Sequence, residues 1–385
     1  MKNFVAKTIM DLPPSGIRKF FDVAAEMKDV VSLGVGEPDF VTPENICDAA
    51  IASLKQGHTM YTSNSGMLEL RTEISRYMSK YGLSYDPTTQ ILVTVGASED
   101  IDISMRALLN PGDEVLLVEP CFVAYKSCVL MAGGVPVTIP THAENDFRVT
   151  AADIEAKLTS KTKAVLFGYP SNPTGAILPR DELEKIADVL RDRDVVIVSD
   201  EIYAELTYGD EPHVSIASLP GMAEKTIVIN GFSKAFAMTG WRLGFACGPV
   251  PLIDAMTKIH QYVLMCAPTI AQYAGLEAMR NSQESVKLMC AEYDKRRVFL
   301  LNELRNMGLD CFEAKGAFYL FPSIKKFGLS SEEFSSRLLY EHKLAVVPGN
   351  AFGDSGEGHL RISYAYSTEN IKEALVRLKG FLDTL

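Results

Sequence analysis

The stretch Val195-Val-Ile-Val-Ser-Asp200-Glu-Ile-Tyr203 opens with consecutive β-branched aliphatic residues and ends on polar ones. A segment apolar on both faces of an extended chain suits a strand buried on both sides, as in parallel sheets covered by helices. Working outward, similar runs recur at 91–95, 114–118, 135–139, 164–168, 227–230 and 244–246. Amphipathic stretches separate them, and residues 181–193 bring Leu183, Ile186, Ala187 and Leu190 onto one helical face. The alternation predicts an α/β fold whose large domain holds a mostly parallel, seven-stranded sheet flanked by helices.

The last third has another pattern. Residues 249–256, 267–279 and 284–307 read as helices, and 316–321 and 360–364 as strands. A terminal helix presents Ile371, Leu375, Leu378 and Leu382 on its apolar face. This predicts a smaller α+β domain over 281–385, joined by an N-terminal segment of 1–45, with the large domain spanning 46–280. No internal repeat or low-complexity linker interrupts the chain.

Of the 385 residues, 47% are hydrophobic and 23% charged, ample for a packed core. The net charge of −11 speaks against a grip on nucleic-acid phosphates. The seven cysteines form no C-x-x-C pair and the histidines are scattered, so no metal site or disulfide framework is expected. The opening Met1-Lys-Asn-Phe-Val-Ala-Lys lacks the apolar core of a signal peptide. No apolar run approaches the roughly 20 residues of a spanning helix. The expectation is a cytoplasmic protein with reduced thiols and no membrane or nucleic-acid partner.

Candidate chemistry gathers where predicted strands end, because ligands of open α/β sheets bind outside the carboxyl ends of strands. Gly231-Phe-Ser-Lys234-Ala-Phe-Ala-Met-Thr-Gly-Trp-Arg242-Leu-Gly follows one such strand. A lysine in apolar surroundings beside cations loses proton affinity and becomes a usable nucleophile, although most lysines are solvated surface residues. Asp200 closes another strand, either as a turn residue or as a carboxylate able to hold a proton on a heterocyclic nitrogen. Tyr203 is positioned to reach the same crevice. Ser171-Asn172-Pro-Thr-Gly175 makes a turn whose asparagine can donate to an oxygen. Gly96-Ala97-Ser98 opens a helix, as an ordinary cap or as a phosphate site.

Taken together these segments resemble the class I aminotransferase family of fold-type I pyridoxal-phosphate enzymes. The resemblance spans nearly the whole chain. It also includes Gly34-Val-Gly36-Glu-Pro-Asp-Phe, Tyr61-Thr-Ser-Asn-Ser-Gly66 with Leu70-Arg71, and Leu360-Arg361-Ile-Ser. It implies Lys234 as the lysine that carries pyridoxal 5′-phosphate as a Schiff base and shuttles the proton. Asp200 is implied at the ring nitrogen, with Asn172 and Tyr203 at the ring oxygen and Phe122 stacked on the ring. Ala97, Ser98, Ser233 and Arg242 are implied at the phosphate, joined by Tyr61 reaching the partner subunit's site in a homodimer. Arg361 is implied as the clamp on the substrate carboxylate, beside Gly36 and Asn172.

The implied reaction is a ping-pong transfer of the amino group of an L-amino acid, aromatic or aspartate, to a 2-oxo acid such as 2-oxoglutarate. A C–S lyase or other eliminating enzyme on the same scaffold is the alternative, and a non-catalytic cofactor-binding regulator a further one. Ile17, Phe20 and Phe352 are candidates for the side-chain pocket, or for ordinary packing.

Overall fold

The computed structural model describes residues 4–12 and 27–385. Strand β1 (Val31–Ser32) precedes the strands of the main sheet. These are β2 (Ile91–Thr94), β3 (Glu114–Glu119), β4 (Val135–Pro140), β5 (Thr162–Gly168), β6 (Val196–Asp200), β7 (Thr226–Gly231) and β8 (Gly244–Cys247). Their spatial order is β2-β8-β7-β6-β5-β3-β4. Neighbours pair in parallel except at β8, which runs antiparallel to both β2 and β7. Every residue of β2, β7 and β8 is buried, as the continuous apolar runs require.

The one reversed strand has a consequence for function. All the others point their carboxyl ends toward the same side of the sheet, whereas β8 begins there. Residues that follow β2, β3, β5, β6 and β7, and the residue that precedes β8, therefore meet at one crevice. Strand order changes direction between β3 and β5, where open sheets bind ligands. The helix Arg180–Leu190 covers the sheet with Leu183, Ile186, Ala187 and Leu190, the face its periodicity predicts. Each of the leucine and isoleucine side chains contributes about 2 kcal/mol relative to exposure.

Beyond the sheet, the helices Val250–Val263, Thr269–Asn281 and Gln283–Asn306 lead to β9 (Tyr319–Leu320), β10 (Leu344–Ala345), β11 (Val347–Pro348) and β12 (Leu360–Ser363). Strands β11, β12 and β9 form a small antiparallel sheet. Strand β1 pairs in parallel with β10, which stitches the N-terminal segment to the C-terminal third. The helix Thr368–Leu382 buries Ile371, Leu375 and Leu378 against this core, with Leu382 partly buried.

Two expectations need correction. The first helix of the last third runs to Val263 rather than 256, because its later turns still bury His260 while exposing Tyr262 and Val263. The strand expected over 316–321 contracts to Tyr319–Leu320. Ala317 takes a left-handed conformation at φ 57°, and a Cβ on Gly316 would lie 2.4 Å from Pro170, so the chain bends there.

Among the described residues, no helix is long and apolar enough to cross a membrane, and no group of three or more His, Cys, Asp or Glu side chains is arranged to hold a metal. All seven cysteines are free thiols.

Candidate active site

A cavity of about 530 Å³ opens at the carboxyl side of the sheet. Asp200 closes β6 within it, 6% exposed. One carboxylate oxygen accepts the Tyr125 hydroxyl at 2.7 Å and the other accepts the Ile202 N–H at 3.1 Å. Burial pushes the Asp200 carboxyl above its usual range. Tyr125 stands on the short helix Ala124–Met131, and its phenol passes close to β5 because residue 168 is glycine. A Cβ there would lie 2.4 Å from the Tyr125 hydroxyl. The end of β6 is held from behind by Glu201, which accepts the hydroxyls of Ser199 at 2.9 Å and Ser215 at 2.7 Å and pairs with His213 at 2.8 Å.

Lys234 follows β7, and its Nζ donates to the Gly36 carbonyl at 2.6 Å. Burial, reinforced by the Arg361 cation, lowers its pKa to about 8. Ser233 beside it is buried. Arg242 precedes β8, where its Nη1 donates to the Thr239 carbonyl at 3.1 Å. Gly96 lies directly against it at φ 85°, and a Cβ there would come 2.8 Å from Arg242 Nη2. Ala97 and Ser98 line the cavity in the first turn of the helix Ala97–Leu108, whose leading N–H groups suit an anion. Glu99 turns away to accept the Val95 N–H at 2.6 Å and to pair with the wholly buried His260 at 2.6 Å, fixing the loop that enters the helix.

The opposite wall comes from the small sheet and the N-terminal segment. Arg361 on β12 is 3% exposed. Its Nη1 donates to Asn172 Oδ1 at 2.9 Å and its Nη2 to the Gly34 carbonyl. The guanidinium stands over the rings of Tyr319 and Phe352, at 4.5 and 4.8 Å from their centroids. Its Nε is buried without a partner among the described residues. With the amide oxygen of Asn172 committed to Arg361, its NH₂ group remains as the donor. Tyr203 and Tyr319 share a hydrogen bond between their hydroxyls, 2.8 Å apart.

A family model described as Aminotransferase class I and II matches residues 28–378. The chain is 48% identical over 372 residues to an aspartate aminotransferase of Pyrococcus abyssi, covering 96% of each. It is 46% identical over 372 residues to aromatic-amino-acid aminotransferase 2 of Thermococcus litoralis, again covering 96% of each. The crystal structure of an aromatic aminotransferase from Pyrococcus horikoshii OT3 superposes with a TM-score of 0.91 at 44% identity, covering 96% of this chain and 99% of that one. The chain belongs to the class I and II aminotransferases.

The protein is thus a transaminase, and its relatives favour amino transfer over the eliminating alternative. Within this aminotransferase the fold brings Lys234, Asp200, Tyr203, Asn172, Phe122 and Ser233 to one cavity, together with Ala97, Ser98, Arg242, Gly36 and Arg361. Tyr61 stands apart from it, 79% exposed. Phe352 is 2% exposed and packs in the core beneath Arg361, so its packing reading holds. Ile17 and Phe20 lie outside the described residues. Sequence reasoning missed Tyr125 and Tyr319, both lining the cavity. For Tyr125 the available signal was its place one turn beyond Phe122.

Proposed function

We propose that this aminotransferase works with pyridoxal 5′-phosphate bound at the end of the main sheet, anchored on Lys234. The single observation that carries this reading is the donor set around one cavity. A lysine with lowered proton affinity, a buried carboxylate, phenol and amide donors, and a cationic helix-start cradle each match one part of that molecule. The cradle suits a phosphate, since the glycine at 96 lets the Arg242 guanidinium lie against the loop that opens the helix, where a Cβ would come 2.8 Å from Nη2.

When bound, pyridoxal phosphate supplies an aldehyde for amines and a protonated ring that accepts the electron pair left at the substrate Cα. Asp200, oriented by Tyr125 and Ile202, would hold the proton on the ring nitrogen. Tyr203 and Asn172 would donate to the ring oxygen, with Phe122 beside the ring. Arg242, Ser233 and the N–H groups of Ala97 and Ser98 would hold the phosphate, with Tyr61 contributed by the other subunit. Arg361 takes the substrate carboxylate and so sets which bond at Cα faces Lys234. Displaced from the aldehyde carbon by the incoming substrate amine, Lys234 Nζ would be free to take the Cα proton and deliver it to that carbon, as a positioned base.

We take the active unit to be a homodimer in the cytoplasm, and the domain division to follow 1–45, 46–280 and 281–385. Self-association is supported by exposed apolar side chains at Met60, Tyr61, Val263, Leu264 and Met265. These two segments are tied together by Thr269 donating to Met60 O at 2.6 Å and Asn64 donating to Met265 O at 2.8 Å.

The substrates are an aromatic amino acid or aspartate, with a 2-oxo acid such as 2-oxoglutarate as acceptor. The relatives named for aspartate and for aromatic amino acids support this range. Lys234, Arg242 and Arg361 are the cations lining the cavity among the described residues, each with a role above. An aromatic side chain therefore needs nothing more, whereas a distal carboxylate needs a further cation. Single amino acids, offered without a keto acid and followed by cofactor absorbance, test this. Conversion by tyrosine and phenylalanine is expected; conversion by neither these nor aspartate would overturn the substrate assignment.

A further inference from the structure

Tyr319 lies where the two walls of the cavity touch. It is wholly buried, and its hydroxyl meets the Tyr203 hydroxyl at 2.8 Å. Its ring lies against the Arg361 guanidinium, 4.5 Å from centroid to carbon, with Phe352 on the same cation at 4.8 Å. It also explains the glycine at 36, where a Cβ would lie 2.3 Å from the Tyr319 hydroxyl oxygen. The carbonyl of that glycine accepts from Lys234. One side chain therefore touches the phenol, the arginine and the loop that holds the lysine.

We propose that Tyr319 is a positioning residue that joins the two halves of the site, its hydroxyl setting the direction of the Tyr203 proton and its ring seating Arg361. The argument rests on the cofactor reading above and on a count of protons. A phenol carries one proton, so a Tyr203 that donates to the ring oxygen of the cofactor receives, and does not give, the bond it shares with Tyr319. Tyr319 is then the donor of that pair. Burial raises the proton affinity of both phenols, so both keep their protons over the working range. The donated bond polarises the Tyr203 hydroxyl and strengthens its own donation. The ring acts on a different partner: it holds the guanidinium plane from one side, which keeps Arg361 ready for a carboxylate before one arrives.

The two functions separate in two variants. Tyr319→Phe removes the hydroxyl and keeps the ring; Tyr319→Leu removes both. Each is reconstituted with pyridoxal phosphate beside the wild type, and the absorbance of the bound cofactor is titrated with pH. A donor to the ring oxygen favours the form that has lost its proton, so weakening it raises the midpoint. Both variants should titrate about half a unit higher than the wild type, the size expected from one neutral hydrogen bond. Dissociation constants of two non-reacting carboxylates, maleate and 3-phenylpropanoate, are then read from the same absorbance. Tyr319→Leu should bind the tighter of the two about tenfold more weakly, and Tyr319→Phe within about twofold of wild type.

An unchanged midpoint in Tyr319→Phe overturns the proposal, as does undiminished carboxylate affinity in a folded Tyr319→Leu. Should the leucine variant not fold, the phenylalanine arm alone still decides. Failure of the cofactor reading looks different: the wild type would then take up no cofactor absorbance, or Lys234→Ala would retain it unchanged.

Discussion

Along the main sheet, Asp200, Lys234 and Arg242 stand at the ends of strands locked into ladders on both sides. Across the cavity, Arg361 stands on the short central strand of a three-stranded sheet, and its guanidinium is held by Asn172, the Gly34 carbonyl, Tyr319 and Phe352. The first wall owes its geometry to backbone register, whereas the second adds to a shorter ladder the packing of its guanidinium against distant segments. On the proposed reading, the first would hold the cofactor and the second the substrate carboxylate. A wall set by register tolerates loss of one functional group without moving the others. A wall set by packing does not, because each side chain is another's support.

Asp200→Asn keeps the shape of the sheet wall and removes its charge. We expect kcat to fall roughly 10³-fold, as for loss of a preorganised electrostatic partner, with the affinity for a non-reacting carboxylate unchanged. A comparable fall in carboxylate affinity would break the division between the walls. Arg361→Leu makes the complementary test, with kcat/KM falling roughly 10²-fold and cofactor affinity preserved, as equilibrium dialysis would read.

The walls meet electrically at Lys234, whose pKa near 8 reflects burial first and the Arg361 cation second. Below that value the amine is increasingly protonated, so capture of an aldehyde by apo-enzyme should slow about tenfold per pH unit. The rate should level off above it. In Arg361→Leu, a like charge is gone and the midpoint should move upward. A midpoint that stays put would show the walls to be independent.

The smallest effect is expected at the phosphate cradle. Gly96→Ala places a Cβ at positive φ against Arg242, and cofactor affinity should drop about fivefold with turnover at saturation little changed.

The same contrast decides what could be read from the sequence. Each strand of the main sheet was legible from its apolar run, and β6 from Val196–Asp200 is the plainest case. A residue one step past such a run needs no tertiary knowledge to be placed at the crevice. Arg242 is subtler: it precedes its strand and reaches the site because β8 runs backwards. Arg361 was found through its family pattern. Tyr319 was not found, because a tyrosine in a buried apolar stretch carries no local sign of what its hydroxyl meets. The bend at Ala317 also hid the short strand's true extent. Tyr125 had a local signal in its place after Phe122, but its bond to Asp200 spans segments far apart in the chain.

Lys234 is proposed to anchor the cofactor. Borohydride reduction of the reconstituted protein, followed by mass mapping of its peptides, tests it directly. One reduced pyridoxyl group per subunit is expected, on the peptide containing Lys234. A label on another lysine, or none in a protein that transaminates normally, would contradict it.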